Sequence, residues 1–521
     1  MNYDSRKAAL ILVGIVAFNI LCGIGGVAML DPDEPVYAET AKEMIRFHDY
    51  LSPRIYNEFW YDKPPIFYWL LVGSMKLFGG FSEFAARLPA SLMAIFSVLL
   101  TYASFSRLVN PRAGWWSAMV MGTSVMLMYM GKASVTDTTL LFFLTAALLC
   151  FLHRRYWLLY ICCGLAVMTK GPIGVVFPGG IIFCYLLLTR NLKELLHMHV
   201  IPGLFLMFLI GTPWYAYMYQ THGWQFVHDF LGFHNVQRFA KPLHPARVHW
   251  WFYIPVLILG FFPWTGLLLQ SIKNAITKSR AHERDVLLFL EVWAAFVFLF
   301  FSAAQTKQVS YMLLLSPALA GLIGWNLDRM FREGGGSAFT SWAIGSGILF
   351  LLMAVGWSFG GQFMPELSSG GIVLGAVTFL FGIAIAGILL RTRSGERAAW
   401  LHVGTALFTM VMAFAVLMPL AQDRFSVKTM ALQYDSMAKD SSRVLYVDKQ
   451  LRPGMMLYTD IPGIEADTNN PATLERLRED SRPKYILIRD YMYRKKKEEM
   501  GGEDWQLIRE HKGICLYESD K

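Results

Sequence analysis

The chain has 521 residues, of which 55% are hydrophobic, 15% aromatic and 16% charged, and its formal net charge is +9. A soluble protein of this length needs more polar surface, so the composition excludes a soluble enzyme and points to a helical integral membrane protein. The positive charge does not imply nucleic acid as a partner, because the basic residues are spread among loops between apolar runs.

Apolar stretches at 8-28, 84-106, 113-130, 138-152, 157-168, 172-189, 200-219, 250-270, 286-303, 309-328, 338-359, 371-390 and 399-420 predict about thirteen spanning helices, since roughly 20 residues cross the hydrocarbon. Arg6 and Lys7 precede the first, which ends without a small-x-small cleavage pattern and reads as a retained helix rather than a signal peptide. With the N-terminus inside, the inside segments carry Arg6/Lys7, Arg107/Arg112, Arg154/Arg155, Arg190/Lys193, Lys273/Lys278/Arg280/Arg284, Arg329/Arg332 and Arg391/Arg393/Arg397, as the positive-inside rule requires. An odd number of spans puts the C-terminus outside. Five of the six cysteines lie in apolar runs, where they act as small hydrophobes, and no disulfide or metal spacing follows.

Between the first two spans lies an outer loop, 29-83. "DPDEPVYAETAKEM" predicts a helix whose N-terminal end is marked by Asp33 and Glu34, with Pro35 in its first turn and Tyr37, Ala41, Met44 and His48 on one face. A second amphipathic helix is predicted from Pro64, and both are expected to lie along the membrane rather than across it. A second outer loop, 220-249, is crowded with His228, His234, Arg238, Lys241, His244, Arg247 and His249. "GGGS" at 334-337 reads as a short loop. After the last span, "RVLYV", "KYILI" and "GICLY" predict strands, and Asn470 is placed to cap a helix starting at Pro471. The expected organisation is a transmembrane domain over 1-420 and an exported α/β domain over 421-521.

Lysines on the outer side run against the orientation rule, yet Lys63, Lys132, Lys170 and Lys307 all stand there beside a turn or an acid. Each alone reads as a snorkelling side chain. Four on one face suit the holding of an anion at the bilayer surface, and a phosphate on a lipid tail is the obvious one. Asp33 and Glu34 then serve as a general base for an acceptor hydroxyl or as ligands of a divalent metal ion, against the plainer reading of solvated acids at a helix start. The histidine spacings form no zinc pattern, although one histidine could complete a metal site with Asp33 or Asp62.

"DPDEPVYAETAKEM", "YDKPPIFYWL", "ARLPASL", "SVTDTTLLFFLT", "MTKGPIGVVFP", "GTPWY", "HNVQRFA…HWWFYIPVLILGFFPW" and "FSAAQTKQVSYMLLLSPALA" occur in the order seen in one family. The sequence resembles the ArnT-like branch of the GT-C glycosyltransferases, which includes the 4-amino-4-deoxy-L-arabinose transferases of lipid A and is related to the protein O-mannosyltransferases. The likeness covers about residues 10 to 330. It implies a GT-C fold and a sugar donor linked through phosphate to a polyprenyl lipid, with inverting transfer at the outer face. By motif, Asp33 resembles the family's acid of the first outer loop, with Glu34 beside it. Lys63 resembles the lysine on the lipid phosphate, with Tyr311 and Lys307 in the motif lining the same site. Asp137, Lys170 and Arg238 are further candidates. Asp62 stands where Glu is common in the arabinose transferases, and His249 corresponds loosely to a site histidine; a divalent metal, if bound, is expected on these two.

The function expected is transfer of a sugar from a polyprenyl (undecaprenyl) phosphate donor to an envelope acceptor of the lipid A type, in the bacterial inner membrane with the site and C-terminus periplasmic. The partners expected are that donor, a glycolipid or protein acceptor and membrane lipids, with no nucleic acid. The alternatives are transfer to Ser/Thr of a protein, or a transporter of lipid-linked saccharides; the latter usually shows internal repeats and broken helices at mid-bilayer, which this sequence does not announce.

Overall fold

The computed structural model describes residues 5-230, 232, 249-438, 442-501 and 504-520. A helix or a broken helix pair stands over each of the thirteen apolar stretches. Among the described residues six helices are long and apolar enough to cross a membrane: Glu83–Leu108, Ala281–Ala303, Val309–Glu333, Ser337–Gln362, Pro365–Thr392 and Gly395–Phe425. The number rises to eight if Val200–Gly211 with Pro213–Phe230, bent by 48°, and Trp250–Gly260 with Thr265–Lys278, bent by 107°, each count as one span. The chain divides into two compact units.

The first unit comprises Met1–Ile24, Tyr61–Phe67 and Arg87–Val416. In lipid, helices gain little from apolarity alone and associate through close approach and interhelical hydrogen bonds. Both are present. A Cβ on Gly324 would lie 2.3 Å from the Ser117 backbone nitrogen, so Ser316–Glu333 and Pro111–Gly122 touch at backbone distance. The Asn274 amide donates to Asn326 Oδ1 at 2.8 Å, Asn326 donates to Ser271 at 3.1 Å, and Asn19 donates to the Gly122 carbonyl at 2.8 Å. Loops expected on the inner side meet one another: Asn110 caps Pro111–Gly122 and donates to Asp328 at 2.9 Å, Arg332 pairs with the same Asp328, and Arg112 pairs with Glu396.

The second unit comprises Gly25–Trp60, Tyr68–Ala86 and Leu417–Lys521, so the residues after 417 pack with much of the loop 29-83 rather than closing on themselves at residue 421. The first loop helix is Asp33–Arg46; it ends before His48, whose φ of 53° takes that residue off the helix face. The second runs Ile66–Leu77, two residues later than predicted, because Pro65 biases Pro64 away from the helical region. Between them Arg54–Ile55 and Glu58–Phe59 form an unpredicted hairpin. Its turn places Tyr56 and Asn57 at φ 61° and 64°, as a twisted two-residue turn demands, and the Glu43 carboxylate accepts the Asn57 N–H at 3.0 Å.

The C-terminal sheet has five strands in the spatial order Ile464–Ala466, Val444–Asp448, Lys484–Arg489, Ile514–Ser519, Gln506–His511. The first three neighbours pair in parallel and the last two pairings are antiparallel. Its period-two alternation fills two cores. Leu445, Val447, Leu487, Ile514 and Leu516 meet Val427, Met430, Leu451 and Met455, while Tyr446, Ile486, Ile488, Cys515 and Tyr517 meet Leu474, Leu477 and Trp505. Asn470 caps Pro471–Glu479, accepting the Ala472 N–H, as the sequence predicts.

Candidate active site

Within the first unit, breaks in the helices bring four charged side chains and a phenol together. Lys63 sits in the buried run 61-65, with Pro64 and Pro65 behind it; its Nζ lies 2.7 Å from Asp62 Oδ1. Lys170 ends the helix Tyr156–Lys170, where Gly171 at φ 84° turns the chain away. Asp137 begins the helix Asp137–Leu152, and the Lys170 ammonium reaches its Oδ1 at 2.9 Å. An acid at a helix start and a cation at a helix end each complement the local dipole. Tyr311, in the 3-10 turn Val309–Leu315, stacks on Phe301 at 4.3 Å and holds its ring 5.9 Å from Lys170 Nζ. The carboxylates of Asp137 and Asp62 both act electrostatically on the Lys170 ammonium. The result is a cluster of two lysine–aspartate pairs, Asp62–Lys63 buried and Asp137–Lys170 half-buried, with Tyr311 beside the second.

The other two lysines are spent on helix ends. Lys307 Nζ binds the carbonyls of Ser302 at 2.7 Å and Ala304 at 3.0 Å, capping Ala281–Ala303, and lies 5.5 Å from the Tyr253 ring. Lys132 Nζ binds the carbonyls of Ile20 at 2.9 Å and Cys22 at 2.6 Å where the first helix ends, and Arg87 binds that of Ile24 at 2.9 Å.

Asp33 and Glu34 belong to the second unit and differ from each other. Asp33 is exposed at the first position of its helix, whereas Glu34 is buried and accepts the Leu30 N–H at 2.9 Å. The helix N-terminus favours both charges. Next to them stands Asp31, a residue that sequence reasoning passed over. Its Oδ2 accepts the Val427 N–H at 2.7 Å, and burial pushes its carboxyl well above the usual carboxylate range. The signal available was an acid placed at the end of a spanning run.

His249 stacks on Trp251 at 5.3 Å, ahead of the turn Trp250–Phe252. Asp62 pairs with Lys63, and among the described residues no three His, Cys, Asp or Glu side chains gather as metal ligands. Arg238, with His234, Lys241, His244 and Arg247, lies outside the described residues. The start of this loop is helical: Pro213–Val227 continues through it with a break at Gly223.

Comparison with known proteins finds relatives of the fold and of the sequence. The family model described as dolichyl-phosphate-mannose-protein mannosyltransferase matches residues 62–217, a stretch that contains Asp62, Lys63, Asp137 and Lys170. An uncharacterized protein of Aquifex aeolicus (strain VF5) is 30% identical over 350 residues, covering 67% of this chain and 78% of its own. An undecaprenyl phosphate-alpha-4-amino-4-deoxy-L-arabinose arabinosyl transferase of Pectobacterium carotovorum subsp. carotovorum (strain PC1) is 27% identical over 475 residues, 86% of this chain and 83% of that one. The crystal structure of ArnT from Cupriavidus metallidurans bound to undecaprenyl phosphate superposes with a TM-score of 0.80 at 20% identity, over 98% of this chain and 97% of that chain. The fold over nearly the whole chain and the sequence likenesses agree, and the chain belongs to the ArnT-like GT-C glycosyltransferases.

Proposed function

We propose that this protein is an inverting glycosyltransferase that moves a sugar from a polyprenyl-phosphate donor to a lipid A-type acceptor, working at the periplasmic face of the inner membrane. The observation that carries the reading is the pairing of Lys63 with Asp62 and of Lys170 with Asp137, the second beside Tyr311. An acceptor oxygen attacks the anomeric carbon, and the bond from that carbon to the donor phosphate breaks with its electrons going to phosphate. Lys63, freed from Asp62, meets the growing negative charge, and Lys170 adds a second cation held in place by Asp137. A hydroxyl acceptor loses its proton to Asp33; a phosphate acceptor, already ionised, needs no base. The mannosyltransferase model over 62–217 supports a second reading in which the acceptor is a protein hydroxyl.

The test is turnover of an undecaprenyl-phosphate-linked sugar by purified protein in detergent, offered lipid A or a Ser/Thr-containing peptide. Transfer is expected with a single compartment, which a transporter does not need to show. Lys63→Ala is expected to lower the rate roughly a hundredfold or more, about 3 kcal/mol of transition-state stabilisation, with either acceptor. Undiminished transfer by Lys63→Ala, with the protein folded, would remove the phosphate assignment.

A further inference from the structure

In the second unit the four residues that lead into the helix of Asp33 have their backbone N–H groups bonded one after another. Ala28 donates to Gln422 Oε1 at 2.8 Å, Met29 to the Tyr458 hydroxyl at 2.9 Å, Leu30 to Glu34 Oε2 at 2.9 Å and Asp31 to the Phe425 carbonyl at 2.9 Å. Three of the four acceptors lie on the C-terminal segment. The side chain of Asp31 closes the set by accepting the Val427 N–H, and a Cβ on Gly454 would stand 2.3 Å from its other oxygen. Tyr458 is itself oriented: its hydroxyl donates to Glu83 at 3.1 Å, and Glu83 is held by Lys428 at 2.6 Å.

A loop with no helical or strand partner for its backbone would ordinarily satisfy these donors with water. Bonding all four to protein costs conformational freedom, and what it fixes is the start of Asp33–Arg46, where Asp33 occupies the first helical position and Glu34 the second. We infer that Gln422, Tyr458 and Asp31 are positioning residues for transfer: the C-terminal segment sets the place of the Asp33 carboxylate through the backbone of 28-31. The inference rests on the reading of Asp33 as the base for a hydroxyl acceptor, and its test uses the Ser/Thr-containing peptide, since an ionised phosphate needs no base. It gives the C-terminal domain a part in the chemistry through Asp33, beyond stability or acceptor access. Misplacing a catalytic group by about 1 Å is enough to cost up to a hundredfold in rate.

Tyr458→Phe and Gln422→Leu each remove one of the acceptors while keeping the volume. Each is expected to lower kcat about tenfold with the donor KM unchanged, and to speed hydrogen exchange of the amides over 28-31. In an Asp33→Asn background neither change should lower kcat further, because both act through that carboxylate. Asp31→Ala, which removes the acceptor of the Val427 N–H, should lose kcat in the same way. Full kcat in both Tyr458→Phe and Gln422→Leu overturns the inference. So does a loss that multiplies in the Asp33→Asn background, or full kcat in Asp33→Asn alone. Failure of the transferase reading looks different: wild-type protein that turns over no polyprenyl-phosphate sugar, with faster exchange over 28-31 in Tyr458→Phe, overturns both.

Discussion

Two regions of the membrane unit carry lysines in similar sequence surroundings and use them in opposite ways. At 63 and 170 the ammonium groups meet the carboxylates of Asp62 and Asp137; at 132 and 307 they meet backbone carbonyls at helix ends. A buried ion pair is poor value as a source of stability, because desolvating both charges costs about what their attraction returns. A lysine on orphan carbonyls fills a need that every interrupted helix has. The difference teaches that a basic residue at a turn in an apolar run is held as readily by the end of a helix as by a carboxylate, so its position alone does not mark a ligand site.

The comparison breaks most visibly at the acid-paired end. Lys170→Met leaves the half-buried Asp137 without its ammonium and is expected to cost about 3 kcal/mol of stability, read as earlier thermal unfolding in detergent. Adding Asp137→Leu removes the orphaned charge and should return most of that loss. Transfer should stay at least tenfold down in the double variant if the pair serves the donor phosphate. Recovery of both stability and activity would reduce this pair to a structural device, like its counterparts at the helix ends.

At the capping end, Lys132→Met withdraws two hydrogen bonds from the carbonyls of Ile20 and Cys22. Bonds from a charged donor are worth more than neutral ones, and the expected cost is about 2 kcal/mol in thermal unfolding. Turnover per folded molecule should stay within about twofold, since a cap acts on the folded fraction and not on the reaction. A hundredfold loss of kcat at full stability would move Lys132 into the site.

What the sequence shows of this molecule divides along the same line. "RVLYV", "KYILI" and "GICLY" are legible as strands because both of their faces are buried, so the runs are almost wholly apolar. The edge strand Gln506–His511 is mostly exposed and reads "QLIREH", and Ile464–Ala466 is three residues long, so neither rises above its surroundings. In the site, Lys63, Asp137, Lys170 and Tyr311 can be named from their position at breaks in apolar runs, but which lysine meets which acid depends on contacts across more than thirty residues, as from Asp137 to Lys170. Lys132 and Lys307 look no different until their carbonyl partners are seen. Asp31 was hidden for another reason: its partners, Val427 and Phe425, are almost four hundred positions away.

The second unit offers the contrasting use of charge, acids buried without a full ionic partner, and the smallest of the expected effects. Glu39 is 1% exposed, and burial pushes its carboxyl up to about 7, against the Lys42 ammonium 3.7 Å away and with Glu43 and Asp460 adding repulsion. A carboxyl whose folded-state value is raised binds its proton more tightly folded than unfolded, so stability falls as pH rises from the unfolded value near 4.5 through about 7 and levels off above. Between pH 6 and pH 8 the folded protein should therefore lose about 1 kcal/mol from this group. Glu39→Gln keeps the shape and cannot ionise, so the slope contributed by this site should vanish and the variant should be the more stable at pH 8. A wild-type stability that instead rises across this window, unchanged in slope by Glu39→Gln, would mean that Lys42 holds Glu39 ionised and that this acid is paired in the manner of Asp62 and Asp137.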